Sequence, residues 1–131
     1  MAPTPDDLVA LMPFARLAGI ELLSATPDEV RGRLDWSVER CTTGGMLHGG
    51  ALLTLADSLG GVCAYLNLPE GRRTATLESK TNFIRAVREG HVEGTARPLH
   101  VGRTTILVET RLVDAAARLV SLTLQTQAVI E

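Results

Sequence analysis

Residues 46–66 read MLHGGALLTLADSLGGVCAYL, an apolar stretch that carries one acid, Asp57, and no Lys or Arg. Apolar residues fall on nearly every side of an α-helix running from about residue 49 to residue 66, which predicts a helix buried on all its faces. A charge is costly to bury without a partner. Asp57 is therefore a candidate functional residue, and an ordinary hydrogen bond to a polar neighbour is the alternative.

The segment before this helix predicts one shorter helix and two strands. Thr4 can cap the first helix, Pro5 suits its first position, and Gly19 ends it. The two strands are IELLSA and EVRGRLDW, with the turn TPD between them. Apolar and charged residues alternate in the second strand, as expected for a half-buried strand.

The second half of the chain predicts four strands, at 73–85, 91–101, 104–114 and 118–130. Short connections between these strands favour an antiparallel meander. Because strands and helices do not alternate, the predicted class is α+β, in one domain over residues 1–131. An apolar helix needs cover on all sides, so its exposed parts and the sheet edges predict at least a homodimer.

The composition argues against several classes of protein. The net charge is −2 and aromatic residues make up 3%, so a basic nucleic-acid-binding face with stacking aromatics is not expected. The cysteines, Cys41 and Cys63, form no Cys-x-x-Cys pair, and dispersed histidines without clustered acids predict no metal site. The N-terminus lacks the basic region of a secretory signal, so we expect a cytoplasmic protein with no membrane partner.

Two glycines at the start of the central helix, Gly49 and Gly50, indicate a binding site for an oxyanion. The first N–H groups of a helix have no intrahelical partner, the helix dipole is positive there, and glycine lets a ligand approach closely. Ordinary flexibility at a helix start is the alternative. Eight residues separate Gly49 from Asp57, about 12 Å along the axis. A site that uses both groups therefore requires two subunits with antiparallel helices.

The segment LHGGALLTLAD at 47–57 resembles the helix-start motif of hot-dog-fold acyl-CoA thioesterases of the phenylacetate-degradation type. The segments TLESKTNFIRAVREGHVEGTARPLHVGRTT at 76–105 and RLVSLTLQTQAVIE at 118–131 are similar to strands of the same group. This resemblance implies a curved antiparallel sheet wrapped around a long central helix. It also implies dimers with a continuous sheet and two active sites at their interface, or tetramers. The implied substrate is an acyl-CoA, and no cofactor is expected.

The resemblance also implies roles for five residues. Asp57 corresponds to the catalytic carboxylate, acting as nucleophile or as general base, and the Gly49 N–H polarises the thioester carbonyl. His48 corresponds to the motif histidine that shapes the site, although a purely structural role is the alternative. Thr76 corresponds to a Ser/Thr position that orients the carboxylate or water. Thr42 occupies a position where relatives often carry Asn, and a threonine cannot supply the amide N–H.

Coenzyme A carries phosphates, which arginine binds well. Arg85, Arg88 and Arg103 flank strand ends and are candidates for this contact, with Gly50 as a further substrate-binding residue at the helix start. Arg103 also corresponds to a basic position in the resembled family.

Two other functions are compatible with a hot-dog fold. An acyl-thioester dehydratase or hydratase needs a His paired with an acid for proton abstraction, and the His-Gly-Gly…Asp spacing argues against it. A non-catalytic acyl-CoA-binding module is the other alternative, which the retention of Asp57 opposes.

Overall fold

A long helix lies across one face of a six-stranded antiparallel sheet in the computed structural model, which describes residues 2–131. This is the α+β hot-dog arrangement that the sequence predicted. The bounds are α1 Pro5–Ala10, α2 Pro13–Ala18, β1 Glu21–Ala25, β2 Val30–Asp35, α3 Gly49–Leu66, β3 Arg73–Phe83, β4 His91–Val101, β5 Thr105–Asp114 and β6 Leu119–Ile130, with short 3₁₀ turns at Val38–Arg40 and Thr43–Gly45.

The central helix α3 has the bounds that the sequence predicted, but it is not buried on all faces. The sheet covers one side of it, and α2 packs against another part of it. Leu53, Asp57 and Tyr65 lie four or eight residues apart and form an exposed stripe. No element within residues 2–131 covers that stripe, so burial of the helix on all its faces is not reached in the single chain.

The N-terminal segment forms two short helices instead of the predicted single one. Thr4 caps α1, as predicted, and forms a capping box with Asp7. The break falls at Met12, whose backbone leaves the helical region with φ −122° and ψ 80°. Pro13 causes it, since proline disfavours helical backbone in the preceding residue and lacks an N–H to donate.

The strand order is β1-β2-β4-β5-β6-β3. The predicted meander holds only for β4, β5 and β6, because β3 pairs with β6 at the far edge of the sheet and β2 pairs with β4. The helix α3 carries the chain from one side of the sheet to the other. Strand β3 therefore lies beside β6, which comes later in the sequence. Both β1 and β3 are edge strands, and most residues of β3 are exposed in the single chain.

The helix approaches one half of the sheet closely because two strands present glycine there. Gly32 in β2 and Gly94 in β4 are paired across the sheet, and the side chain of Leu59 fills the space above both. A Cβ on Gly32 would lie 2.5 Å from Leu59 Cδ2, and one on Gly94 would lie 2.6 Å from Leu59 Cδ1. Leu59 is fully buried and anchors α3 over β2 and β4.

Candidate functional site

Within residues 2–131, the start of α3 presents one backbone donor without a partner. His48 caps the helix, and its Nδ1 accepts a hydrogen bond from the Gly50 N–H at 2.7 Å. The Gly49 N–H has no hydrogen-bond partner among residues 2–131. The ring of Phe83, at the end of β3, packs against Gly49, 3.4 Å from where a Cβ would be. An oxyanion that reaches the Gly49 N–H therefore meets an unused donor at the positive end of a helix.

A cavity of about 290 Å³ adjoins this donor. Gly49, Thr42, Phe83 and Arg85 contribute to its lining, so the structure brings together three of the residues that the sequence predicted for the site. Thr42 is exposed on the loop before α3, and its own N–H donates to Met46 O at 2.9 Å. A hydroxyl and a guanidinium thus stand at the mouth of the site that the Gly49 N–H faces.

Asp57 lies two turns further along α3, in a different cavity of about 460 Å³. Residues of α2 and α3 form most of the lining, including Phe14 and Gly61, and Thr76 of β3 completes it. The Asp57 carboxylate is exposed in the single chain, whereas the sequence predicted a helix buried on all its faces. Gly49 does not line this cavity, so one chain holds the carboxylate and the free N–H in separate places.

Two buried amide side chains on β6 hold the groups of the Asp57 cavity. Gln125 donates from Nε2 to Asp57 Oδ1 at 3.0 Å, and the Thr76 hydroxyl donates to the same oxygen at 3.5 Å. Gln127 donates from Nε2 to Thr76 Oγ1 at 2.6 Å. Its own Oε1 lies 3.0 Å from the Thr74 hydroxyl. Asp57 is thus part of a connected network that links α3, β3 and β6.

Neither glutamine was predicted from the sequence. A search for titratable groups passes over glutamine, which neither gains nor loses a proton in ordinary chemistry. A usable signal was the alternation along β6, where Ser121, Thr123, Gln125 and Gln127 occupy every second position. All four are at most 1% exposed, so the polar face of this strand is the one that faces α3.

Gly60 explains how Gln125 fits beneath the helix. A Cβ at Gly60 would lie 1.8 Å from Gln125 Oε1 and 2.5 Å from its Cδ. Gly60 therefore makes room for a side chain of the sheet. Gly60 is one turn from Asp57. A glutamine that passes beside Gly60 therefore reaches the Asp57 carboxylate.

The remaining predicted residues are less directly placed. The Gly50 N–H is occupied by His48, so a contact between Gly50 and substrate needs a different atom. Arg88 donates to Gly44 O at 2.9 Å in the loop before α3. Arg103 lies in the exposed turn between β4 and β5, and it lines neither the Gly49 cavity nor the Asp57 cavity.

Sequence comparison decides the family. Residues 44–121, which include Gly49, Asp57 and Thr76, match the thioesterase superfamily. The chain belongs to the thioesterase superfamily. Relatives of the chain are named as a thioesterase and a CoA-thioester hydrolase, so the chain is placed among enzymes that hydrolyse thioesters, as predicted.

Individual thioesterase relatives match to different extents. A putative esterase of Mycobacterium tuberculosis, Rv1847, is 31% identical over 127 residues, which cover 92% of this chain and 91% of that protein. The 1,4-dihydroxy-2-naphthoyl-CoA hydrolase of Escherichia coli is 39% identical over 75 residues, 57% of this chain and 55% of that enzyme. The aligned segment therefore spans little more than half of the Escherichia coli enzyme.

A solved thioesterase structure has the same fold over nearly the whole chain. A mutant of thioesterase PA1618 from Pseudomonas aeruginosa superposes with a TM-score of 0.92 at 28% identity, covering 99% of this chain and 96% of that one. The likeness confirms the hot-dog fold. It also confirms that the long helix and the six-stranded sheet are those of a thioesterase.

Proposed function

We propose that this thioesterase hydrolyses acyl-CoA to a free acid and CoA, at sites that each combine groups from two subunits. The observation that carries the proposal is the separation of the two chemical groups on α3. The Gly49 N–H is an unused donor at the helix start, and the Asp57 carboxylate lies about 12 Å along the axis in another cavity. A carbonyl bound to one group cannot reach the other in the same chain.

The edge strand β3 supplies a geometry for the dimer. Thr76 lies beside Asp57, and Phe83 lies against Gly49, so the two groups sit near opposite ends of this strand. Two copies of β3 paired antiparallel about a two-fold axis near Lys80 would bring Thr76 of one chain opposite Phe83 of the other. The bulge after Thr76 keeps both side chains on the same face. Each site then takes Asp57 from one chain and Gly49 from the partner subunit.

In the proposed reaction the thioester carbonyl oxygen accepts a hydrogen bond from the Gly49 N–H. Negative charge that develops on this oxygen is stabilised by that donor and by the helix dipole. Asp57 then acts in one of two ways. As a nucleophile it attacks the carbonyl carbon, expels the CoA thiolate and leaves an anhydride that water hydrolyses. As a general base it takes a proton from water, which attacks the carbon and expels the thiolate.

The acyl group is proposed to occupy the cavity beside Asp57. Its walls are mainly apolar, with Met12 and Phe14 on one side and Leu53 and Gly61 on the other. A volume of about 460 Å³ accommodates an aryl group or a short to medium acyl chain. The Escherichia coli relative, 1,4-dihydroxy-2-naphthoyl-CoA hydrolase, supports an aryl-CoA as the first substrate to test.

The phosphates of CoA are proposed to bind near the start of α3. Arg85 lines the cavity beside Gly49, and Arg88 reaches the loop that precedes the helix. Both are exposed and are therefore available to an anionic ligand. Arg103 is a weaker candidate, since it lines neither cavity.

The partners of Asp57 argue against the dehydratase alternative. Within residues 2–131 its side-chain partners are Gln125 and Thr76, and neither can take a proton as a His–acid pair would. His48 uses Nδ1 to cap the helix. These contacts support a reaction in which Asp57 acts on a thioester without a paired histidine.

Mixed dimers of two inactive variants test the proposal. Asp57→Asn removes the carboxylate and should lower thiol release by roughly 100- to 10,000-fold. Gly49→Pro removes the N–H donor at a helix position that suits proline, and should cost about 100- to 1,000-fold. His48, with φ −63° and ψ 137°, has a backbone that a following proline accepts. Gly49→Ala is the matched control, because it adds a side chain and keeps the donor.

Two affinity tags allow purification of the Asp57→Asn/Gly49→Pro heterodimer. One of its two sites has both groups intact, so about half the wild-type activity should return. An inactive heterodimer would contradict the shared site. Activity in the Asp57→Asn homodimer, or no thiol release by wild type from any acyl-CoA in a panel, would overturn the proposed function.

A further inference from the structure

The inner face of β6 carries four buried polar side chains where a hydrophobic core would otherwise lie. Ser121, Thr123, Gln125 and Gln127 are each at most 1% exposed. Burying an amide costs free energy unless its hydrogen bonds are made, and apolar residues of similar size would carry no such cost. Gln125 and Gln127 contact Asp57 and Thr76, so these two members of the row indicate a function other than packing.

Gln125 is held in one orientation by its surroundings. An ionised carboxylate only accepts hydrogen bonds, so the Gln125 NH₂ group must face Asp57 Oδ1, 3.0 Å away. Its Oε1 then points at Gly60, where no partner for it exists among residues 2–131. The lack of space at Gly60 prevents the amide from moving away from the carboxylate. One good hydrogen bond is kept while the other end of the amide stays unsatisfied.

Gln127 has the same relation to Thr76. Its Nε2 lies 2.6 Å from Thr76 Oγ1, so that oxygen acts as an acceptor. The hydrogen of the Thr76 hydroxyl is then free to point at Asp57 Oδ1, 3.5 Å away. The two buried amides thus direct two donors, one directly and one through Thr76, at the same carboxylate oxygen.

The result is an asymmetric carboxylate. Asp57 Oδ1 receives both donors, and Oδ2 receives none from residues 2–131. An oxygen that accepts hydrogen bonds is a weaker base and nucleophile than one that does not. We propose that Gln125 is a positioning residue, which fixes Asp57 through Oδ1 so that Oδ2 is the oxygen that reacts. Gln127 supports the same orientation through Thr76.

This inference rests on the proposed function, because it assigns Gln125 a role only if Asp57 is catalytic. Gln125→Leu removes the donor and keeps a buried side chain of similar size. Because misplacement of a reacting group costs up to about a hundredfold in rate, kcat for acyl-CoA hydrolysis should fall by up to that factor with KM little changed. Ser121→Ala is the control, since it removes a buried polar group of the same row that does not contact Asp57. It should leave kcat unchanged.

Gln125→Glu tests the pH dependence of kcat, which would not change if Gln125 were only structural. It places a second carboxyl beside Asp57, and two close carboxyls tend to share one proton at low pH. Asp57 must be ionised to act, so the acid limb of the profile of kcat against pH should move to higher pH. This variant also decides the matter if Gln125→Leu fails to fold.

The outcomes separate the two proposals. An active wild type, an inactive Asp57→Asn variant and a Gln125→Glu profile that coincides with wild type would overturn the positioning role alone. A wild-type kcat in Gln125→Leu would do the same. Full activity of Asp57→Asn would instead overturn the proposed function, and the role of Gln125 with it.

Discussion

Two of the contacts between α3 and the sheet are built in opposite senses. Over β2 and β4 the sheet supplies the glycines, Gly32 and Gly94, and the helix supplies the large side chain, Leu59. Over β6 the helix supplies the glycine, Gly60, and the sheet supplies the large side chain, Gln125. The two helix residues are adjacent in sequence and point to different halves of the sheet.

Under the proposed function, the first contact serves stability and the second serves the chemistry of the site. In the first contact an apolar side chain fills an apolar recess, so the free energy of burial anchors the helix. In the second contact an amide passes close to the helix backbone and reaches Asp57. The first contact fixes where the helix lies, and the second uses that position to orient a carboxylate. Changes to the two contacts should therefore have different consequences.

The largest effect on stability is expected from Leu59→Ala. It leaves a cavity above two glycines, which have no side chains to fill it, so the free energy of unfolding should fall by about 2–5 kcal/mol. Urea unfolding followed by circular dichroism measures this change. Leu17→Ala in α2 is the control, because Leu17 is 80% exposed and its loss should change stability by no more than about 0.5 kcal/mol. Equal losses in the two variants would refute the anchoring role of Leu59.

Gly60→Ala tests the second contact and should have an intermediate effect. The new methyl group collides with Gln125, so stability should fall by about 1–3 kcal/mol and activity should fall with it. Removing the obstruction in the Gly60→Ala/Gln125→Ala double variant should restore part of the stability, with a coupling of about 0.5–3 kcal/mol.

Gly61→Ala is the matched comparison on the same helix. A Cβ there meets nothing within 4 Å in the single chain, so the variant should gain up to about 1 kcal/mol from helix propensity. Additive effects of Gly60→Ala and Gln125→Ala would mean that the two residues do not interact as described.

The smallest effect is expected at the turn between β5 and β6. The backbone N–H of Arg118 donates to Asp114 and, with the N–H of Ala116 and the Arg118 side chain, holds the pKa of this carboxyl below its ordinary value of 3.8. Its contribution to stability is therefore complete above about pH 4 and is lost as the pH falls through the lowered pKa. Asp114→Asn should be slightly less stable than wild type at pH 7.

This difference in stability should shrink when both proteins are unfolded with urea at successively lower pH values down to pH 3. A difference that grows as the pH falls would have the wrong sign for a lowered pKa. Activity should be unaffected, because the turn contacts neither Asp57 nor Gln125.

Local patterns predicted most of the fold. The bounds of α3 follow from His48, whose ring caps the helix, and from the apolar run that ends before Asn67. The strands follow from their alternation. The pairing of β3 with β6 could not be predicted in this way, since alternation marks a strand and does not say which edge it joins. The break at Pro13 was predictable in principle, because proline disfavours helical backbone in the residue before it.

The sequence predicted the titratable and backbone groups of the candidate site. It did not predict the side chains that hold them. Asp57 and Gly49 stand out because an isolated charge and a glycine pair are unusual in an apolar helix. Gln125 and Gln127 do not stand out, because a polar residue at every second position is also typical of a solvent-facing strand surface. Only the three-dimensional arrangement shows that this polar face is turned towards α3.

The break at Pro13 makes α2 a short helix that contributes little to the core. Ala15 is the only buried residue of α2, while Phe14 and Leu17 are largely exposed, and Phe14 borders the cavity that also holds Asp57. Substitutions at these exposed positions leave the core and the Asp57 network untouched. Under the proposed function, a single substitution at Phe14 would change the wall of the acyl cavity while the Asp57 network keeps its contacts, so acyl preference could shift without loss of the fold.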